Sequence, residues 1–205
     1  MTLATLQSGL GTGFANPVQS SQTVFRTVMN AMARPGSVHT IAEEVKAPSL
    51  MMPATAAVAL ALFDHDTPIW LDPAFATEAD MASWLRFQTG APLTSDASQA
   101  AFALIAKGSA LPDFQVFAPG TPEYPDRSTT LVVQVETLTA GDEFTFSGPG
   151  IQGTSKLRAD ALPQDFVARM QANRALFPLG VDLLLVSGGD LVALPRSTHV
   201  AAKEV

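Results

Sequence analysis

The stretch Ala193–Val200, ALPRSTHV, places Arg196, Thr198 and His199 directly after an apolar run. An arginine accompanied by hydroxyls and a histidine at the end of a strand has the donors that hold a phosphate or a carboxylate. The same residues are also typical of a solvated strand end in which the arginine makes an ion pair. The sequence leaves these two interpretations open.

A single acidic residue, Asp182, interrupts the apolar segment PLGVDLLLV that precedes this stretch. A buried carboxylate is costly unless it is hydrogen-bonded or paired with a charge. Asp182 is therefore either a structural residue, held by an arginine or by backbone N–H groups, or a residue of a site. We favour the structural interpretation.

A glycine-rich segment, FTFSGPGIQG at residues 144–153, follows a short run that alternates apolar and polar residues. It matches neither of the glycine-rich motifs that bind nucleotide phosphates. Pro149 also removes a backbone donor from its centre. The segment therefore predicts a turn at the end of a strand rather than a cradle for an anion.

The three histidines, His39, His65 and His199, show no spacing that would bind a metal ion together. Asp64 and Asp66 flank His65, and we interpret this cluster as a solvated turn after a helix. The chain has no cysteine, which excludes disulfides, thiolate metal sites and a cysteine nucleophile. It also lacks the G-x-S-x-G motif of hydrolases. We predict no metal site.

The composition excludes further classes of function. The 205 residues carry a net charge of −7 and 47% of them are hydrophobic, so a sizeable core is expected. The lysines and arginines are scattered, without the basic stripe that nucleic-acid binding needs. The sequence shows no signal-peptide pattern and no apolar run of about 20 residues that could cross a membrane. We predict a cytoplasmic protein that binds neither nucleic acid nor membrane.

Hydrophobic periodicity divides the chain into elements. Residues 1–16 are rich in Gly, Thr and Ala and predict a flexible arm, whereas residues 17–205 predict a single domain. One predicted helix begins at Pro17 and ends before Pro35, and a second begins at Pro53. Two further helices are predicted over residues 77–88, with a capping pattern at Thr77 and Asp80, and over residues 163–177. The predicted strands cover 67–72, 100–106, 129–138 and the hairpin 181–195, whose turn lies at 187–190.

This alternation of helices and strands predicts an α/β fold with a mixed sheet and helices on both faces. Nearly continuous apolar strands such as LLLV, residues 183–186, favour a sheet that is covered on both sides. In the first helix the apolar residues recur at helical spacing and predict one apolar face: Val24, Phe25, Val28, Met29 and Met32.

Five segments carry a resemblance to a known family. They are VFRTVMNAMARPGSV (24–38), FDHDTPIWL (63–71), LRFQTGAPLTS (85–95), SGPGI (147–151) and FPLGVDLLLVSGGDLVALPRSTHV (177–200). In this order, and over about residues 17 to 200, they resemble the PhnH family, a subunit of the bacterial carbon–phosphorus lyase machinery. Within SGPGI the motif rests on Gly148 and Gly150, which favours a role in backbone geometry that shapes an interface or the rim of a pocket.

The resemblance implies a fold and a role in a multi-subunit assembly. PhnH proteins are three-layer α/β/α sandwiches related to the large domain of pyridoxal-phosphate-dependent transferases, but without the cofactor. None of the four lysines of this chain lies in a recognisable Schiff-base setting. With PhnG, PhnI and PhnL, the family supports the transfer of a phosphonate onto the ribose of ATP, which yields α-D-ribose 1-methylphosphonate 5-triphosphate. PhnH joins a core assembly with PhnG, PhnI and PhnJ, and forms a homodimer alone.

Two main hypotheses about function follow. In the first, the chain is a structural, interface-forming subunit without activity of its own. In the second, it is a phosphonate- or nucleotide-binding catalytic subunit, in which Arg196, Thr198 and His199, with Arg34 and Asp64, hold an anionic substrate. A third interpretation is a degenerate transferase that still binds pyridoxal phosphate. The family supplies no established catalytic residue for this subunit.

Overall fold

A computed structural model describes residues 13–202 of the protein, and its centre is a seven-stranded mixed sheet. The helices are α1 (Pro17–Ala33), α2 (Pro53–Leu62), α3 (Pro73–Thr77), α4 (Met81–Thr89) and α5 (Phe166–Ala175). The strands are β1 (His39–Thr40), β2 (Ile69–Leu71), β3 (Leu93–Thr94), β4 (Phe102–Ile105), β5 (Thr130–Gln134), β6 (Asp142–Ser147), β7 (Ser155–Ala159), β8 (Asp182–Ser187), β9 (Asp190–Leu194) and β10 (His199–Ala202). The prediction of an α/β fold with a mixed sheet is confirmed.

The large sheet has the strand order β1-β9-β8-β5-β4-β2-β3. Strands β3, β2, β4, β5 and β8 run parallel to one another, while β9 pairs antiparallel with both β8 and β1. The predicted hairpin joins β8 to β9, with Ser187 opposite Asp190 and Gly188 at a positive φ of 58°.

Side chains of the central strands alternate between two cores, as the pleat of a strand requires. Leu184 and Val186 of β8 point into the first core, which α1, α2 and α4 cover. Leu183 and Leu185 point into the second core, which contains residues of α5 and of a separate antiparallel sheet, β10-β6-β7. Helices therefore lie on both sides, but the second outer layer consists largely of this small sheet.

Two strands of the small sheet, β7 and β10, have hydrophobic patterns that are too weak to predict a strand. In β7 the exposed Lys156 and Arg158 alternate with the buried Leu157 and Ala159, so the strand offers only two apolar residues to a pattern search. Strand β10 begins inside the segment that we read as a candidate site. Neither strand was predicted.

The helix predicted over 77–88 is two helices. Asp72 caps α3 by accepting a hydrogen bond from Phe75 N, and the hydroxyl of Thr77 donates to carbonyl oxygens within α3. Thr77 thus ends one helix and does not cap the next. Helix α4 begins at Met81, and Asp80 makes no capping hydrogen bond through its side chain. The predicted capping box was wrong because Asp72-Pro73 already starts a helix.

Helix α1 buries only part of its predicted apolar face. Val24 and Val28 are in the first core, whereas Phe25 and Met29 are about half exposed. Of the predicted arm, residues 1–12 lie outside the described residues, and Phe14 is buried against the first core. Within the described part of the chain, no helix has the length and apolarity to cross a membrane.

Candidate functional site

Three of the singled-out segments meet at one edge of the molecule, which we call the junction. They are the end of α1 (Ala33–Gly36), the turn after β6 (Ser147–Gly150) and the loop between β9 and β10 (Pro195–Thr198). A Cβ atom added to Gly150 would overlap the carbonyl oxygen of Ala33, and one added to Gly148 would lie 3.2 Å from that of Ser197. Glycine at these two positions therefore allows the three backbones to approach one another.

The glycine-rich segment forms a turn at the end of β6. Ile151 N donates to the carbonyl oxygen of Gly148 at 3.1 Å, with Pro149 and Gly150 at the two central positions. Gly150 has a φ of 81°, as the second central residue of a type II turn requires. The turn packs against backbone of the other two segments, which is the geometric role expected of Gly148 and Gly150.

Arg196 is held at the junction by five acceptors of the protein. Its Nε donates to Asp182 Oδ1 at 3.1 Å, and its Nη1 donates to the carbonyl oxygens of Pro125, at 2.7 Å, and Pro178, at 3.3 Å. Its Nη2 donates to Ser128 Oγ and to Asp182 Oδ2. A guanidinium group has five N–H donors. The whole donor capacity of Arg196 is therefore used within the protein.

The ion pair between Arg196 and Asp182 is buried, with 13% of each side chain exposed. Asp182 Oδ1 also accepts a hydrogen bond from the backbone N of Arg196 at 2.7 Å. A buried carboxylate is tolerated when charge and hydrogen bonds compensate its desolvation, and here both oxygens are engaged. Because Asp182 begins β8 and Arg196 follows β9, the pair fastens the open end of the hairpin.

The other candidates at the junction differ in what they contact. Thr198 is buried, and its hydroxyl has no hydrogen-bond partner within the described structure. His199 is partly buried and pairs with Ser147 across β10 and β6. Arg34 is exposed, and among residues 13–202 its side chain makes no hydrogen bond or ion pair. The three residues thus lie in or next to the segments of the junction, but Arg34 is exposed, Thr198 is buried and His199 is partly buried.

A small cavity of about 250 Å³ opens beside the turn, lined by Pro149, Arg174, Phe177 and Ser197. Arg174 Nε donates to the carbonyl oxygen of Ser197 at 3.4 Å. Phe177 is 63% exposed, so an aromatic ring stands at the mouth of this cavity. The lining combines apolar groups with one cation, a composition that suits an apolar group carrying a nearby negative charge.

Asp64 does not belong to the junction. It lies in the turn after α2, where its Oδ1 accepts from Asp66 N at 2.9 Å, and His65 pairs with Asp66 at 3.3 Å on the exposed surface. The turn leads into β2, three strand positions away from β8, a separation of roughly 14 Å at the usual strand spacing. Among the described residues, no group of three or more His, Asp or Glu side chains could hold a metal ion.

Sequence reasoning missed Asp72, which lies at the carboxyl end of β2. The chain changes direction across the sheet here, since β2 pairs with β3 on one side and with β4 on the other. Ligands of open α/β sheets bind outside such a point. Asp72 is 1% exposed and accepts from Phe75 N and Ala106 N, each at 2.9 Å. An aspartate before a proline that starts a helix was the available signal.

Gln134 is a second buried polar residue that the apolar pattern of β5 concealed. Its Oε1 accepts from Met52 N at 2.7 Å, and its Nε2 donates to the carbonyl oxygens of Leu50 and Ala106 at 3.0 and 3.3 Å. The amide thereby ties the start of α2 to the sheet, beneath a cavity of about 400 Å³ whose rim includes Lys107 and Glu136.

The fold and the junction define an α/β protein with a mixed central sheet, in which converging loops form a composite surface. The family described as "Bacterial phosphonate metabolism protein (PhnH)" matches residues 12–201 of the chain. The chain belongs to the PhnH family.

Two relatives give the family resemblance its detail. The chain is 44% identical over 197 residues to the "Alpha-D-ribose 1-methylphosphonate 5-triphosphate synthase subunit PhnH" of Rhizobium meliloti (strain 1021), covering 96% of this chain and 98% of the relative. It is 31% identical over 185 residues to the "Putative C-P lyase subunit protein HtxG" of Stutzerimonas stutzeri, covering 89% and 86% of the two chains. The resemblance inferred from the five sequence segments is confirmed.

Proposed function

We propose that this chain is the PhnH-type subunit of a carbon–phosphorus lyase complex, and that it contributes a binding surface to that complex. Family membership supports the pathway, and both relatives are named as subunits of larger assemblies. The chain then takes part in alkylphosphonate catabolism, in the formation of α-D-ribose 1-methylphosphonate 5-triphosphate, and has no activity alone.

The observation that carries the structural role is the full occupancy of Arg196. Arg196 is the arginine of the candidate anion-binding stretch, yet all of its N–H donors contact Asp182, Ser128 and two carbonyl oxygens. An arginine that binds a substrate phosphonate needs free N–H groups directed at it. In this arrangement Arg196 and Asp182 build the junction, and the junction presents its surface to a partner.

The finer features of this proposal follow from the family. The partners are subunits of the PhnG, PhnI and PhnJ types, together with PhnL, and the free protein is a homodimer in the cytoplasm. The central sheet with its outer helices is related to the large domain of pyridoxal-phosphate-dependent transferases, without the cofactor.

The decisive experiment is native mass spectrometry of the tagged protein, purified from its own host grown on methylphosphonate as the sole phosphorus source. We expect the chain to arrive with the other subunits in a fixed ratio. Recovery of a bare dimer under these conditions would contradict the proposal. Growth on inorganic phosphate serves as the control, because the pathway is not required there.

The exposure of Arg34 favours a second candidate function, the binding of an anionic substrate at the junction. Arg34 is unpaired among the described residues and belongs to the same junction as Thr198, whose buried hydroxyl lacks a partner in that part of the chain. Titration calorimetry with methylphosphonate and with ATP tests this candidate. Arg34→Ala should abolish any heat of binding, whereas Arg86→Ala, which changes an exposed arginine on α4, should preserve it. The absence of heat in a competent complex would exclude the candidate.

A further inference from the structure

Helix α1 carries an apolar stripe on its outer side. Val18, Phe25 and Met29 are 68%, 49% and 52% exposed. At 100° per residue the three side chains fall within about 40° of one another, and they extend over about 16 Å of the helix. The buried residues Val24 and Val28 point about 100° away from them, toward α2 and β9. The outer stripe is therefore a second apolar surface that residues 13–202 leave uncovered.

The charges along α1 are all of one sign. The sequence has no Asp or Glu before Glu43, although the whole protein carries 19 acidic and 12 basic residues. Arg26 lies beside the stripe and Arg34 at its end, and both are exposed without an ion pair among residues 13–202. Helix α1 of this acidic protein thus carries two cations, Arg26 about 80° around the helix axis from the centre of the outer stripe and Arg34 directly after the last helical residue, Ala33.

The elements against which α1 packs do not neutralise these two cations. Helix α2 has no charged residue, and neither does the turn after β6 that touches the end of α1. Strand β9 contributes one acid, Asp190, which accepts a hydrogen bond from Thr40 at 2.7 Å. Phenylalanine, methionine and arginine are enriched at the centres of protein interfaces, whereas Lys, Glu and Asp are depleted there. The composition of the outer stripe follows this rule.

We propose that the outer stripe of α1 docks into an apolar groove, rimmed by carboxylates, on another subunit of the complex. This inference rests on the proposed function. The carboxylates of that subunit would meet Arg26 and Arg34, while Phe25 and Met29 would anchor the contact. A second copy of this chain does not fit, because a two-fold contact places the same patch on both sides and would set cation against cation.

The test is co-expression of the chain with PhnG-, PhnI- and PhnJ-type subunits, with the affinity tag on one of those subunits. The quantity measured is the amount of this chain recovered per tagged subunit, at low and at high salt. The double variant Phe25→Gln/Met29→Gln and the single variant Arg26→Glu should each lower recovery about tenfold, as the loss of interface anchors does. Recovery of the unmodified chain should fall with salt.

Helix α4 supplies matched controls, because Arg86 and Phe87 are also adjacent, exposed and helical. Phe87→Gln and Arg86→Glu should leave recovery unchanged. Arg26 makes no polar contact in the described structure, so Arg26→Glu tests the surface even where the double variant impairs folding.

Each other outcome overturns the inference in a recognisable way. Normal recovery of both α1 variants would exclude the outer stripe while leaving the proposed function intact. Loss of recovery only in the α4 variants would place the contact on α4. If the α1 variants dissociate the isolated dimer, the occupant is a second copy. If the unmodified chain is not recovered at all, the proposed function fails first and this inference with it.

Discussion

Two arginines next to prolines lie at the junction, and they differ in whether the protein engages their side chains. Arg196, which follows Pro195, has every donor of its guanidinium group engaged by the protein. Arg34, which precedes Pro35, has no side-chain partner among the described residues. A sequence motif cannot distinguish these cases, because availability depends on which acceptors surround the side chain.

The backbone around each arginine explains the difference. Arg196 passes over the starts of β5 and β8, where the carbonyl oxygens of Pro125 and Pro178 are close enough to accept from it. Arg34 directly follows α1, and its backbone N donates to the carbonyl oxygens of Asn30 and Ala31. Its side chain therefore extends into solvent.

The largest expected effect comes from Arg196→Ala. The variant should lower the free energy of unfolding by about 4 kcal/mol, because it leaves the buried Asp182 carboxylate without its counter-charge. Urea unfolding followed by circular dichroism measures this loss. Arg34→Ala is the matched control and should stay within about 0.5 kcal/mol of the unmodified protein. Equal effects of the two variants would contradict the expectation that the Arg196–Asp182 pair stabilises the fold.

A smaller effect is expected from Gly150→Ala, which tests the contact that keeps the Arg34 end of α1 beside the loop of Arg196. The new methyl group would overlap the carbonyl oxygen of Ala33 at a φ of 81°. We expect a loss of about 3 kcal/mol in the free energy of unfolding.

Gly153 provides the control for this change. Its φ is 73°, and a Cβ atom there would meet no atom within 4 Å. Gly153→Ala should therefore cost only the left-handed backbone strain, about 1 kcal/mol. A Gly150→Ala variant as stable as Gly153→Ala would show that the turn does not press against α1.

The smallest effect concerns the ion pair between Arg169 and Asp165, which is more exposed than the pair between Arg196 and Asp182. The side chain of Arg169, whose Nε lies 2.9 Å from Asp165 Oδ2, is the main reason why the pKa of Asp165 lies below its ordinary value. A lowered pKa in the folded state gives stability that is present above the ordinary aspartate pKa of about 3.9 and is lost as the pH falls through the lowered value.

Asp165→Asn should therefore be slightly less stable than the unmodified protein at neutral pH, and the difference in stability should close in acid, as the pH falls through the lowered pKa of Asp165. Thermal unfolding at a series of pH values measures this difference in stability. Added salt should reduce the difference, because the Asp165 side chain is exposed. A gap that widens in acid would contradict the assigned direction of the pKa shift.

The sequence predicted the features that depend on local pattern. The alanine-rich segment after Pro53 forms the buried helix α2, and the apolar run of β8 lies at the centre of the sheet. The requirement that Asp182 have a partner was also foreseeable, because a buried carboxylate must be compensated. The identity of that partner was not, since the stretch ALPRSTHV is compatible both with an Arg196 that binds an anion and with an Arg196 that makes an ion pair.

Features that depend on pairing between distant segments were not predictable in the same way. Strands β7 and β10 become visible only through their pairing with β6. The spacing of the apolar residues in α1 predicted one apolar face. How many of these residues the core buries depends on how closely α2 and β9 pack against the helix. The junction itself joins segments that are at least 45 positions apart in sequence, and a local pattern contains no information about which distant segments meet.

The packing of α1 and β1 against β9 also bears on how the chain is made. The strand partner of β1 is β9, and α1 shares its core with Leu191 and Ala193 of that strand. A ribosome adds about 5–20 residues per second. The first helix to emerge therefore waits roughly 10–30 s for the last strand of the large sheet. Throughout that interval Val24 and Val28 lack part of their cover, so a nascent-chain chaperone would find its binding site at the beginning of this protein.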